Sequence, residues 1–246
     1  MYHVQAARAT AWRILRQLSH DPRTLVLIFV VPLLLLSLLR WMFSDQIEVF
    51  NTIGPALLGV FPFALMFIVT SITTLRERTS GTMERLMTMP IGKFDLVLGY
   101  MGAFGLLAIV QALLASVLLL YVLDMPVNGP DWFLIVMALA NALLGTALGI
   151  FVSAFARTEF QAVQFMPAIV MPQLLIGGLF MPLDAMPNVL ETIAHFLPLT
   201  YAINALNEIA THTSITTTAW RDFWVVVACG VAAIVLGALT LRRRTK

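Results

Sequence analysis

The chain has 246 residues, of which 60% are hydrophobic and 11% are charged, with a net charge of +2 and a mean hydropathy of +0.90. About a quarter of the residues of a soluble domain are charged, so this composition excludes an ordinary soluble protein and predicts an integral membrane protein. No nucleic-acid partner is expected.

An amphipathic helix is predicted over residues 2–18, ahead of the first long apolar run. Apolar side chains recur along one face at helical spacing, and polar side chains fall on the opposite face. Trp12 lies near the boundary between the faces, where an indole suits a membrane interface. Asp21-Pro22 then ends the helix, because the residue before a proline disfavours helical geometry. The apolar face consists of Val4, Ala7, Ala11, Ile14, Leu15 and Leu18.

Six apolar segments are long enough to cross the hydrocarbon core of a bilayer, which takes about 20 helical residues. They lack strand-like alternation, so they are predicted to be helices whose backbone groups are satisfied internally. The expected fold class is an all-α integral membrane protein, with residues 1–246 forming a single transmembrane domain. The predicted spans are residues 25–43, 53–75, 96–123, 132–156, 160–183 and 223–241.

The distribution of basic residues predicts the orientation of the chain in the membrane. A cytoplasmic N-terminus places 13 of the 15 Lys and Arg residues on the cytoplasmic side and eight of the 13 Asp and Glu residues on the other. Cytoplasmic loops of membrane proteins carry an excess of Lys and Arg. Both termini are therefore expected in the cytoplasm of a multi-pass protein of the plasma membrane.

A dense group of charged side chains occupies the predicted loop between the second and third spans, residues 76–94. Gly81-Thr82 is a plausible helix start, and Glu84 falls in the first turn, where the helix dipole favours a carboxylate. Met83, Leu86 and Met87 share one face of this helix. The loop is predicted to form a short surface helix with a Met-rich apolar face, suited to contact with a partner. The alternative is that the charges only hold the loop in the cytoplasm.

A re-entrant hairpin is predicted over residues 184–201, before the last span. Pro187 and Pro198 interrupt this segment too often for a full span, although its apolar residues suit the outer leaflet. Broken backbone at membrane depth is tolerated only against protein or water, so the hairpin is expected to border a central pathway. The alternative is an external loop that rests on the membrane surface.

Several chemistries are not supported by any motif. Gly92-Lys93 is followed by Phe94 instead of Ser or Thr, so the chain has no phosphate-binding loop and is not expected to hydrolyse ATP. The third to sixth predicted spans contain no Asp, Glu, Lys or Arg, which disfavours an ion-driven carrier. The four His residues and the single Cys229 show no metal-ligand spacing. The chain is predicted to be no enzyme and to bind no metal or cofactor.

Two blocks of the sequence carry motifs that identify a family. The first runs from Glu77 through the loop to Leu98-Gly99-Tyr100. The second, from Thr158 to Asn204, contains Met171-Pro172, Gly177-Gly178, Phe180-Met181-Pro182-Leu183, Met186-Pro187 and Leu197-Pro198-Leu199-Thr200-Tyr201-Ala202. Together they resemble the permease subunits of type-2 ABC exporters, in particular the daunorubicin-type drug export permeases.

The resemblance implies a complex in which this permease and a second copy, identical or similar, associate with two ATP-binding subunits. Those subunits would bind ATP and Mg²⁺, and the helix of residues 2–18 would be a connecting helix that touches them. The residues expected to couple the permease to the ATPase are Glu77, Arg78, Gly81, Thr82, Met83, Glu84, Arg85 and Met87.

In this family the second and fifth spans mainly line the substrate route, which the resemblance places along the dimer axis. The corresponding residues here are apolar, aromatic and rich in Met, which favours a lipophilic drug or lipid as substrate. Two alternatives remain: a polysaccharide or glycolipid export permease of the same family, and a membrane subunit that docks an ATPase without transport. The candidate pathway residues are Phe61, Phe63, Met66, Phe67, Phe165, Met166, Met171, Gln173 and Leu174.

Overall fold

The computed structural model describes residues 2–83 and 92–240, with side chains from residue 4 onward. Within these ranges the chain is helical and contains no strand. The α-helices are α1 (Tyr2–Ser19), α2 (Pro22–Met42), α3 (Ile47–Thr79), α4 (Lys93–Val117), α5 (Asp131–Ser153), α6 (Glu159–Phe165), α7 (Met171–Ile176), α8 (Asn188–Ala194), α9 (Pro198–Thr211) and α10 (Thr217–Thr240).

Five helices of the described chain are long and apolar enough to cross a membrane: α2, α3, α4, α5 and α10. A π-helical turn, Leu118–Val122, continues α4. The most apolar stretches of α3, α4 and α5 are 67%, 61% and 61% buried, against 17% and 22% for α2 and α10. The first three therefore form the centre of the protein, with α2 and α10 at its periphery. The prediction of an all-α integral membrane fold is confirmed.

The segment predicted as a fifth span, residues 160–183, is not one continuous α-helix. Helices α6 and α7 are joined by a π-helical turn, Met166–Val170, and the helical stretch ends at Ile176. Pro167 and Pro172 each remove a backbone donor from this stretch, which favours such a break. Gly178 then adopts φ +95°, a conformation that glycine tolerates best. The predicted end at residue 183 is therefore wrong by about two turns.

The segment predicted as a hairpin contains two helices at a sharp angle. A 3₁₀ turn, Leu183–Ala185, precedes α8, and α8 meets α9 at 93°. Helix α9 continues to Thr211, ten residues beyond the predicted limit. The pair has the composition of a broken span or a re-entrant loop, and its position relative to a membrane stays a prediction. Helix α10 begins at Thr217, six residues earlier than the predicted last span.

Helices α3 and α5 make the most extensive helix–helix contact in the described chain. Gly145 and Gly149 form a Gly-x-x-x-Gly pair on α5, and this spacing lets membrane helices approach closely. A Cβ added at Gly149 would lie 2.5 Å from Phe67 O, and one at Gly145 would lie 2.3 Å from Phe63 O. Asn141 Nδ2 also donates a hydrogen bond to Gly59 O at 2.9 Å. The two backbones are therefore in direct contact.

Helix α1 packs along α4. Its Ile14 and Leu18 are buried in a cluster with α4 residues, and Gly99 leaves room for Thr10, whose Cβ would lie 2.6 Å from an added methyl group. Val4 and Trp12 remain 72% and 71% exposed. Most of the predicted apolar face is thus covered by protein, and the interfacial position of the helix stays a prediction.

The junction between α1 and α2 is fixed by an N-cap. Asp21 accepts hydrogen bonds from Thr24 N at 3.3 Å and from Thr24 Oγ1 at 2.6 Å. These bonds stabilise the charged carboxylate and lower the pKa of Asp21 from its ordinary value. Pro22 occupies the first turn of α2, where its missing N–H leaves no helical hydrogen bond unmade. The predicted end of the first helix at Asp21-Pro22 is confirmed.

Candidate coupling site at the basic end of the helices

Five elements meet at one end of the protein, which we call the basic end: α1, the last turns of α3, the start of α4, the end of α5 and the start of α6. Three arginines, Arg13, Arg76 and Arg78, each connect the elements there through a different acceptor. The predicted coupling loop leaves α3 at this point. The basic end is therefore the part of the described chain where movement of the loop would reach several helices at once.

A buried carboxylate holds three of these elements together. Arg13 of α1 donates from Nη1 to Glu77 Oε1 at 3.0 Å and from Nη2 to Oε2 at 2.7 Å. The Tyr100 hydroxyl of α4 also donates a hydrogen bond to Glu77 Oε2. Glu77 and Tyr100 are only 4% and 1% exposed. We call this group the Glu77 clamp, since one carboxylate of α3 binds both α1 and α4.

The electrostatics of the Glu77 clamp favour the charged form of Arg13. The two-fold guanidinium contact is the geometry that matches a carboxylate best. The hydrogen bond and the charge of Glu77 together raise the pKa of Arg13 from its ordinary value. Arg13 therefore stays charged, and its two hydrogen bonds to Glu77 form a fixed connection between α1 and α3.

A second ion pair joins α3 to α6 at the surface. Arg76 Nε and Nη2 donate to the two carboxylate oxygens of Glu159 at 2.9 and 3.0 Å. Both side chains are more than half exposed. Water and salt therefore screen their attraction much more than that of the Glu77 clamp.

Replacing Arg76 by glutamine is expected to have little effect, because an exposed pair of this kind contributes about 0–1 kcal/mol to stability. The measurement is the thermal unfolding midpoint of the detergent-purified protein, compared between wild type and Arg76→Gln at low and high salt. A large loss that persists at high salt would contradict the assignment of this pair as a screened surface contact.

Arg78 bridges α3 and α5. Its Nη1 donates a hydrogen bond to the backbone carbonyl of Ser153, and the side chain is partly buried. Arg78 is one of the residues that the resemblance assigns to coupling with the ATPase. The structure instead gives it an acceptor within the chain, as it does for Glu77, whose burial leaves almost no surface for a partner. For these two residues, the structure supports an internal role.

The start of the coupling loop is held in a defined conformation. Gly81 has φ +75°, and a Cβ added there would meet nothing within 4 Å, so the backbone angle and not space is what favours glycine. Thr82 and Met83 have helical geometry, as predicted from Gly81-Thr82. Met83 is 3% exposed and packs in the cluster that contains Ile14. Glu84, Arg85 and Met87 lie outside the described residues, and their coupling role stays a prediction.

The candidate pathway residues do not form one surface in the described chain. Phe63, Met66 and Phe67 are fully buried, and the first and last belong to the contact with α5. In this conformation they have no exposed surface for a substrate. Phe61, Phe165, Met166 and Leu174 are partly buried against the core, whereas Met171 is 41% exposed.

Gln173 is bound within the protein instead of lining a cavity. It is 3% exposed, its Nε2 donates to Ile169 O at 3.0 Å, and its Oε1 accepts from Leu199 N at 3.4 Å. It therefore connects α7 to the start of α9. The pathway role of all nine residues stays a prediction, and only the partly buried and exposed members have a surface to offer.

The sequence pattern did not bring Arg13 and Tyr100 together with Glu77. Arg13 lies on α1, and Tyr100 enters only as part of the Leu98-Gly99-Tyr100 match. Their contacts with Glu77 join residues that are far apart in the chain, and they follow from the packing of α1 on α4. The Gly-x-x-x-Gly spacing on α5, by contrast, is a sequence signal for close helix packing.

Comparisons with known proteins agree with this architecture. The family model described as ABC-2 type transporter matches residues 5–210. ABC transporter G family member 20 of Dictyostelium discoideum is 26% identical over 199 residues, which cover 79% of this chain and 27% of that protein. The inner membrane transport permease YhhJ of Escherichia coli is 26% identical over 180 residues, covering 73% of this chain and 48% of that protein.

A third relative is the linearmycin resistance permease protein LnrN of Bacillus subtilis, 27% identical over 154 residues, which cover 60% of this chain and 39% of that protein. The matches to all three relatives span about half of their length or less. The match to the family model, by contrast, extends from α1 to α9 and includes every element of the basic end. The chain therefore belongs to the family of ABC-2 type transporters and is an integral membrane permease of that family.

Proposed function

We propose that the chain is the permease subunit of an ABC exporter that moves a lipophilic drug or lipid out of the cytoplasm or the inner leaflet. Two separate ATP-binding subunits supply the energy by binding and hydrolysing ATP with Mg²⁺, and a second permease copy completes the complex. The basic end faces the cytoplasm in this proposal, as the distribution of Lys and Arg predicts.

The observation that carries the proposal is the Glu77 clamp beside the loop. An ATPase that moves the loop also moves the end of α3, because Gly81 lies only two residues beyond that helix. The clamp then transfers this movement to α1 through Arg13 and to α4 through Tyr100. Arg78 carries it to the end of α5. One input at the loop is thereby distributed over four helices.

The test is a vesicle reconstitution of the permease with its ATP-binding subunits. ATP-dependent accumulation of daunorubicin and of a fluorescent phospholipid is measured, together with ATPase activity stimulated by each probe. Transport that requires ATP supports the exporter. Stable assembly with the ATPase, without transport or stimulation by any probe, supports the alternative of a docking subunit, and transport of a glycan-linked probe alone supports the polysaccharide or glycolipid alternative.

Gly81→Pro is expected to lower probe-stimulated ATPase activity at least about tenfold, equivalent to about 1.4 kcal/mol. Proline fixes φ near −65° and cannot adopt the φ of +75° found at Gly81. Gly81→Ala is expected to cause a smaller loss, because an L-residue pays about 1–2 kcal/mol for this conformation but can adopt it. Glu84→Ala is expected to weaken coupling as well.

The control for these loop variants is Gly102→Ala on α4, where an added Cβ meets only Ala11 Cβ at 3.4 Å. This variant is expected to keep wild-type activity. Equal activity of wild type, Gly81→Pro and Glu84→Ala would remove the loop from the coupling mechanism.

A further inference from the structure

A polar cleft lies on the opposite side of the protein from the basic end. Gly129 N donates to Ile209 O at 3.0 Å, so the last turns of α9 lie beside the start of α5, far from Ser153 at the other end of that helix. The cleft has a volume of about 300 Å³. It is lined by Gly177, Gly178, Pro182, Leu183, Asp184, Ile203, Asn204 and Asn207.

Three side chains that line the cleft, Asn204, Asn207 and Asp184, carry hydrogen-bond acceptors. Asn204 Nδ2 donates to Asp222 Oδ2 at 2.6 Å, and because an ionised carboxylate only accepts, this contact fixes the amide orientation. The Asn204 carbonyl oxygen is thus left as an acceptor on the other side of the amide. Asn207 Oδ1 is buried and has no hydrogen-bond partner in the described chain. The Asp184 carboxylate is exposed at the rim.

An ion pair between Asp222 and Arg221, whose side chain is 65% exposed, holds the Asp222 carboxylate beside Asn204. Asp222 is completely buried, and its Oδ1 accepts from Arg221 Nε at 2.9 Å. Asp222 therefore neutralises the positive charge of Arg221. In the described chain, no Lys or Arg is among the residues that line the cleft. The charged residue among those that line the cleft is Asp184, whose carboxylate attracts a cation.

We propose that the cleft binds the primary ammonium group of an amphiphile, through Asn204, Asn207 and Asp184. A primary ammonium has three N–H donors and no acceptor, which matches three acceptors of this kind. The volume is at the lower limit of small-molecule sites, so the cleft accommodates a head group and not a whole drug. Phe180 and Met181, 69% and 47% exposed, lie just before Pro182 and offer an apolar surface to the tail.

The bound head group belongs to a transported substrate only if the chain is an exporter, so the proposal rests on the proposed function. Binding to the cleft needs neither ATP nor the ATP-binding subunits. It is therefore measured on the purified permease alone. Absence of binding in that experiment would not bear on ATP-driven transport. Failure of transport in reconstituted vesicles, in turn, leaves a measured binding constant unchanged.

The binding test uses dodecylammonium as the probe and the full chain in dodecyl maltoside, with affinity measured by microscale thermophoresis. Dodecyltrimethylammonium has the same charge and tail but no N–H donor, so it is expected to bind about tenfold more weakly. Asp184→Asn and Asn207→Leu are each expected to weaken dodecylammonium binding by a similar factor. Asn207→Asp is expected to strengthen it, because it adds a charge at an existing acceptor.

The matched control is Glu191→Gln, which removes a partly exposed carboxylate of α8 that is not among the residues lining the cleft. It is expected to leave dodecylammonium affinity unchanged. Equal affinity for the two ammonium probes, or an effect of Glu191→Gln as large as that of Asp184→Asn, would overturn the proposal. Asp184 is exposed, so its replacement does not endanger folding.

Two sources of a primary ammonium are separated by competition. Phosphatidylethanolamine that displaces dodecylammonium, while phosphatidylcholine does not, assigns the cleft to a lipid head group. Displacement by daunorubicin but not by phosphatidylethanolamine assigns it to an amine-bearing drug. Displacement by phosphatidylcholine as effective as that by phosphatidylethanolamine would contradict recognition of N–H donors.

Discussion

Replacement of Glu77 by alanine is expected to cause the largest loss of stability among single substitutions at the basic end. The change removes the common acceptor of Arg13 and Tyr100 and leaves a phenol that is 1% exposed without a partner. Breaking a buried ion pair costs roughly 3–5 kcal/mol. The lower part of that range applies here, because the Arg13 side chain is 35% exposed and can partly regain water.

The measurement is thermal unfolding of the detergent-purified protein, followed by the fluorescence of its five tryptophans. Glu77→Gln is expected to fall between wild type and Glu77→Ala, since the amide keeps one acceptor oxygen for the two donors. A double-mutant cycle with Arg13→Ala isolates the pair, because residues in one hydrogen-bonded group do not behave additively. Additive losses in this cycle would show that Arg13 and Glu77 act independently.

A second readout reports on α1 itself. Without Glu77, α1 loses its only ion pair to the helices of the described chain, so trypsin is expected to cut more rapidly after the exposed Arg8 and Arg16. The Glu191→Ala variant is the matched control, because the Glu191 carboxylate is 39% exposed and 3.9 Å from its partner. Unchanged proteolysis of α1 in Glu77→Ala would indicate that apolar packing on α4 suffices to hold this helix.

Gly149→Ala is expected to be among the most damaging glycine substitutions inside the helices. An added Cβ would lie 2.0 Å from Thr70 Oγ1 and 2.5 Å from Phe67 O. Rotation of the Thr70 side chain can relieve the first contact. The second cannot be relieved in this way, because the Phe67 carbonyl moves only with its helix. The α3–α5 contact must therefore widen, at a cost of about 1–3 kcal/mol or more for an overpacked core. Gly149→Val is expected to prevent accumulation of folded protein.

The matched control is Gly230→Ala on α10, where the nearest atom to an added Cβ is Leu144 Cα at 4.0 Å. Alanine favours a helix interior over glycine by up to about 1 kcal/mol, so this variant is expected to be neutral or more stable. Size-exclusion profiles and unfolding midpoints of the two variants distinguish the predictions. Equal behaviour of Gly149→Ala and Gly230→Ala would contradict direct backbone contact between α3 and α5.

The membrane helices were largely predictable because their signal is local. Each apolar run is longer than a soluble helix requires, and Asp21-Pro22 marks the start of α2 without any tertiary information. The α6–α7 segment was predicted less well, since hydropathy averages over Pro167 and Pro172. Their effect on the backbone depends on which neighbouring groups replace the missing hydrogen bonds.

The Glu77 clamp was not predictable in the same way. Arg13 and Glu77 are 64 residues apart in the chain, and a single sequence contains no signal that pairs them. Charged residues near a span also have two uses that look alike in sequence: contact with a partner and contact within the protein. Glu77 is buried, which indicates contact within the protein. Its burial follows from the packing of α1 on α4, which a single sequence does not reveal.

The length of α3 has a mechanical consequence. Its 33 residues span about 50 Å, whereas the hydrocarbon core of a bilayer is about 30 Å thick. A helix of this length extends beyond the core, and in the proposed orientation its last turns act as a lever in the aqueous phase. Gly145 and Gly149 hold its middle against α5 and provide the fulcrum. A small sideways displacement of Thr79 would thus move Ile47, at the other end of the helix, in the opposite direction.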